Sequence, residues 1–228
     1  MAGAVMAEDV GPFARLLRWC RMALVVAGPL IVLATLLHPS RETAATIIAS
    51  EVRLIAAHVL FTVYGLLVLL GLPGLYAAQR CGMGRLGLAG FLTAFTGTYL
   101  MAATGYFGFL APVLARQSPA VLDAINQYSP VLVIGGLAAI CFIVGYAIFG
   151  IAMTKTVTLP RLSGVLVAVG GPAHLLGFGI SQLVSTAAWV IAVLGALSLG
   201  AGLPWPGYLI WQKPAASDPP PVDKKAPV

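Results

Sequence analysis

Six apolar segments, at roughly 18–38, 52–78, 86–114, 130–154, 161–182 and 184–210, dominate this chain and leave little between them but short connections. Each can cross a hydrocarbon core of about 30 Å as a helix, which takes about 20 residues at 1.5 Å apiece. The runs are continuous and lack the alternation of a barrel strand. An all-α, polytopic six-transmembrane-helix bundle is therefore the expected fold. Composition agrees with it. Hydrophobic residues make up 60% of the chain and charged ones 9%, at a mean hydropathy of +0.97, whereas a soluble domain carries about 25% charge on its wetted surface. The 228 residues leave room for one transmembrane domain over 1–212. Residues 213–228, rich in proline and charge, are expected to form a disordered cytoplasmic tail.

Charge placement gives an orientation. With the N-terminus inside, ten of the 13 Lys and Arg residues fall in cytoplasmic segments: Arg15, Arg18, Arg21, Arg80, Arg85, Lys155, Arg161, Lys213, Lys224 and Lys225. Arg41, Arg53 and Arg116 lie opposite, each near an acid. The positive-inside rule then puts both termini in the cytoplasm. Arg over Lys in the body, with much Ala, Gly, Val and Leu, suggests a GC-rich bacterial source and hence the plasma membrane. The first apolar run is longer than a signal-peptide core and lacks a nearby small-residue cleavage site, so it reads as a retained helix.

Several function classes find no support. No basic stripe interleaved with aromatics suggests nucleic acid. Cys20, Cys81 and Cys141 show neither CxxC spacing nor a disulfide framework. No GxSxG, HExxH or P-loop pattern occurs, and the few acids lie in connections, so the sequence leans away from an enzyme. Ala188, Ala192, Ala196 and Gly200 form a small-residue stripe. It fits close helix packing, within the bundle or against a second membrane protein or copy through 184–210. The lipid bilayer is the one partner the composition demands.

Ionisable groups inside a membrane are costly, about 2.5–3.5 kcal/mol for a charge at a helix centre on insertion scales. The expected spans hold almost none except histidines. His58 and His174 fall at similar depth, about 10 Å below the outer surface at 1.5 Å per residue. Glu51, His58, Thr62 and Gly65 share one helix side, as do Gly170, His174, Gly177 and Ser181. Gly170, Gly171 and Pro172 are expected to break the fifth span, because proline removes a hydrogen bond and clashes with the preceding turn. His38, beside Pro39 at the membrane surface, reads as structural. Ser40 is expected to cap a short turn after it.

Two facing imidazoles at one depth are what a haem b or metal site in a bundle requires. Hence His58 and His174 are expected as axial or metal ligands, with Arg53 placed to meet haem propionates. Glu51, Thr62, Tyr99, Gly171 and Pro172 are expected to line the pocket. The alternatives are a small-molecule transporter or binder with a cavity at the fifth helix, and a non-enzymatic accessory subunit of a membrane complex. Each histidine can also serve simply as interhelical glue.

Overall fold

The structure, a computed structural model, describes residues 12–212, so the expected tail over 213–228 lies outside the described residues. The described residues are 90% helical, with no strand. Five helical stretches among them are long and apolar enough to cross a membrane: Arg18–Leu37, Glu51–Gln117, Ser129–Thr154, Arg161–Leu183 and Thr186–Leu209. The elements are α1 (Pro12–Leu37), α2 (Ala44–Ala49), α3 (Glu51–Gly105), α4 (Phe107–Gln117), α5 (Pro119–Gln127), α6 (Ser129–Thr154), α7 (Arg161–Leu183), α8 (Trp189–Gly202) and α9 (Pro204–Gln212).

The second and third apolar segments, expected as separate helices, are two helices that follow each other directly in α3 and meet at a kink. Gly84 makes the kink, with φ 58° and ψ −158°. That conformation is essentially open to glycine alone. Beyond it the chain doubles back. Tyr76 stacks on Phe91 at 4.9 Å, and a Cβ on Gly65 would stand 3.0 Å from that of Ala102. These pairs lie about equally far from Gly84 on either side, so the two arms run antiparallel.

The helices close into a ring. α1 packs on α3, α3 on α6, α6 on α7, α7 on α8, and α8 and α9 return to α1. Inside lie Leu24, Ile31, Val68, Leu72, Tyr146, Phe149 and Leu199, all fully buried. In lipid the hydrophobic effect does not drive helices together, so close van der Waals packing must. Glycines permit it. A Cβ on Gly145 would collide with the Ala94 backbone, and one on Gly97 with the Phe142 backbone. The stripe on 184–210 is used in the same way: Ala192 and Ala196 are fully buried, and Gly200 meets Gly28. The outward face of α8 is instead Val190, Ile191, Leu194 and Leu197.

Two local expectations are corrected. α7 stays helical from Arg161 to Leu183, through Gly170, Gly171 and Pro172. The glycines there admit neighbours, Gly170 against Leu199 and Gly171 against Tyr146. α2 is capped by Thr43, not Ser40, in a reciprocal box with Thr46. At the end of the bundle remote from Arg18 and Trp211, α2, α4 and α5 form a cap. Its own apolar cluster comprises Ile47, Leu54, Ala111, Ala115 and Leu122.

Nothing lies within 4 Å of a Cβ built at Gly84 or at Gly105, yet only Gly84 has a positive φ. Gly84→Ala is expected to cost about 1–3 kcal/mol in a detergent unfolding titration through backbone strain alone. Gly105→Ala, equally unobstructed, should be neutral or slightly stabilising in the same titration.

Candidate functional site

Pro39 ends the first long helix and leaves His38 as its last hydrogen-bonded residue, with N–H donating to the Ala34 carbonyl at 3.0 Å. The side chain turns inward and is only 3% exposed. Its Nδ1–H donates to the Pro39 carbonyl at 2.9 Å, while Nε2 stands 2.8 Å from Oε1 of Glu42. Both ring nitrogens thus have an oxygen partner. Aromatic rings surround the imidazole: Phe178 at 5.0 Å, Phe61 at 6.1 Å, and Trp189, nearly parallel, at 5.8 Å.

His58 comes from the first arm of α3, its ring centroid 5.3 Å from that of His38. Its Nδ1–H donates to the Leu54 carbonyl one turn earlier, at 3.0 Å. Gly108, at the start of α4, makes room for the ring: a Cβ there would overlap His58 Nε2. His174, 7% exposed on α7, donates Nδ1–H across to the Ala192 carbonyl of α8 at 3.1 Å. The ring of Phe61 touches both, with centroids 6.4 Å from His58 and 6.2 Å from His174. Because carbonyls only accept, each neutral ring of His58 and His174 keeps its lone pair on Nε2.

The three histidines and Glu42 open on one cavity of about 250 Å³ under the cap. Ile47, Ala111 and Leu122 roof it, Phe61, Met101, Phe142 and Leu175 supply apolar wall, and Thr62, Thr98 and Tyr64 add hydroxyls. Thr98 Oγ1 and the Tyr146 hydroxyl are 2.9 Å apart. The buried Tyr64 hydroxyl neighbours that of Tyr146 without completing a well-formed hydrogen bond. A mostly apolar chamber with a few converging polar groups is the usual form of a small-ligand site.

The sequence-expected residues divide. His58, His174 and Thr62 line the cavity. Arg53 is exposed and is not among the residues lining the cavity. Glu51 begins α3 and pairs with Arg116 at the end of α4, tying the cap to the bundle. Tyr99 turns outward, 58% exposed. Gly171 packs on Tyr146, and Pro172 lies in the continuous helix α7, outside the cavity lining. The site adds His38, Glu42 and Gly108. The i, i+4 spacing of His38 and Glu42 was a readable signal, but Pro39 between them signalled a helix end.

Gln182 holds the His38–Glu42 loop in place. Its Oε1 accepts from the Glu42 N–H at 2.7 Å, and its Nε2 donates to the Ser40 carbonyl at 3.3 Å. No family model, no characterised protein and no solved structure matches the chain. The site's chemistry is therefore read from its own residues.

Burial disfavours the Glu42 carboxylate, but the hydrogen bond from His38 and the charges of His38 and His58 outweigh it, so the carboxyl titrates below its ordinary value. A folded-state pKa below the unfolded one adds stability that is present above the unfolded value, about 4.3 for Glu, and lost as pH falls through the folded value. Thermal unfolding in detergent should therefore show the wild type losing stability as pH drops below about 4.3, and Glu42→Gln losing less. Gln182→Ala should lower the melting temperature and flatten the same pH response, because the carboxylate is no longer held at His38.

Proposed function

We propose that the protein is a multi-pass plasma-membrane protein with six membrane-spanning helices and both termini cytoplasmic. In this reading it binds a small ligand in a histidine-lined chamber in the outer half of the bundle. One observation carries the proposal: His38, His58, His174 and Glu42 converge on a single cavity, in a chain of which only 9% is charged. Such groups in a membrane are expensive and mark function. The antiparallel arms on either side of Gly84 support counting α3 as two spans. The ten-to-three division of Lys and Arg supports the orientation, which turns the capped end outward. Arg18 lies over the Trp211 ring at 5.3 Å, consistent with both described ends of the chain on one side.

The chamber reading is tested on detergent-purified full-length protein by absorption spectroscopy and by mass spectrometry of its organic extract. Thr62→Phe, which fills the cavity, should reduce any co-purifying molecule at least tenfold while the protein stays monodisperse. A Soret band, lost in His58→Ala and His174→Ala, would identify the occupant as haem b with those two axial ligands. Identical extracts and spectra from wild type and Thr62→Phe would defeat the chamber reading. The same chamber would serve a transporter or an accessory subunit, and flux in proteoliposomes separates the first from the second.

Topology has its own check. Cys81 is exposed close to the Gly84 bend. In a variant keeping Cys81 alone, a membrane-impermeant maleimide should label inverted vesicles and spare intact cells. The opposite pattern would reverse the orientation.

A further inference from the structure

We propose that His38, Glu42 and His58 form a binding site for a divalent transition-metal ion of the zinc class, with an open coordination position toward the chamber. The proposal rests on the chamber reading and adds to it a ligand set and an ion class. Each of the three residues offers one ligand atom, and these atoms all lie within 4.8 Å of one another. His38 Nε2 and Glu42 Oε1 are already 2.8 Å apart. Donors about 2.0–2.2 Å from a tetrahedral zinc stand about 3.4 Å from one another. A small rotation of the His58 ring, of about 1 Å at the nitrogen, would complete the set.

The supporting shell is in place as well. Metal-bound histidines characteristically donate their other N–H to a carbonyl or carboxylate, which fixes tautomer and orientation. His38 does so to the Pro39 carbonyl. On Glu42, the Gln182 side chain accepts from the main-chain N–H, so the loop carrying the carboxylate is fixed from behind. Gly108 leaves the His58 ring the volume it occupies, and the Leu54 carbonyl orients it.

The donors select the ion. Two imidazoles and one carboxylate suit borderline divalent ions such as Zn²⁺, Co²⁺ or Fe²⁺. Calcium and magnesium prefer all-oxygen shells. None of the three cysteines belongs to the cluster, which sets aside thiolate-bound copper and iron–sulfur chemistry. On binding, the ion enters between His38 Nε2 and Glu42, and any proton carried there passes to solvent. Three protein ligands leave at least one position free, the arrangement of sites where a metal binds or activates a small molecule. All three ligands line the cavity, so that position faces the chamber. His174 lines the same cavity, held by Ala192 on α8, and stands outside the ligand set.

The experiment uses full-length protein in detergent, stripped with chelator and reloaded with Zn²⁺ or Co²⁺. Zinc is counted after gel filtration and cobalt read by its visible d–d bands. We expect one ion per chain in the wild type. Affinity should fall by more than about 100-fold in His38→Ala, in His58→Ala and in the isosteric Glu42→Gln, beyond the 10–100-fold loss usual for an outer partner. His174→Ala and Arg53→Ala should keep the ion. Circular dichroism and monodispersity of Glu42→Gln establish that its loss of metal is not loss of fold. Absence of a stoichiometric ion in the wild type, or full retention in Glu42→Gln or His58→Ala, would overturn the proposal. So would an ion lost in His174→Ala with the fold intact, because the ligand set would then be wrong. A chamber that keeps an extractable organic molecule while binding no metal would sink this inference alone. A protein with neither would end both readings.

Discussion

Inside a bilayer no water is available to satisfy a polar group, so each one must find its partner within the protein. That constraint favours the helices that dominate the described residues, and it also sets the terms for the three histidines. The Nδ1–H of each donates to a main-chain carbonyl: Pro39 for His38, Leu54 for His58, Ala192 for His174. Thr35, Thr62 and Thr98 follow the same rule, donating to carbonyls one turn back. A histidine anchored this way is at once ordinary interhelical glue and a ring with its second nitrogen turned to other use. The structural and the ligand-binding roles are therefore compatible in these residues.

The same scarcity of water makes packing depend on shape. Helices in backbone contact leave little empty volume, and the contacts at Gly97, Gly145, Gly177 and Gly200 are of that kind. Against this dense ring the cavity under the cap is an exception. Phe61 and Met101 line its wall, and α2, α4 and α5 roof the space rather than fill it. The cap has an apolar cluster of its own, so it can pack as a unit. Its attachment includes the Glu51–Arg116 pair, and it supplies Gly108 beside His58.

Much of the helical fold could be read from residue order, since apolar runs of spanning length with few charges permit only helices. The site was legible in part. His58, His174 and Thr62 could be placed by helical spacing and depth, whereas Tyr99 could not: the rotation of a helix about its own axis is set by its neighbours, and those turn Tyr99 outward. His38 could not be placed in the cavity from residue order, because Pro39 beside it signals a helix end but says nothing about where the side chain then turns. Glu42 lies in a connection, and only the Gln182 amide from α7, 140 residues away in sequence, fixes it at His38.

Residue order by itself determined that this chain forms helices long and apolar enough to cross a membrane, and where along it the polar exceptions lie. The physical reason is local: hydropathy, charge and helix length are properties of consecutive residues. Tertiary structure alone decided which exceptions meet. The Gly-Gly-Pro segment of α7 became a packing surface rather than a break, because Leu199 and Tyr146 press into the space its glycines leave. His38, Glu42 and His58 came together because the end of α1, the following loop and the first arm of α3 are held at one level by the cap. That meeting depends on contacts between distant segments, which no pattern along the chain specifies.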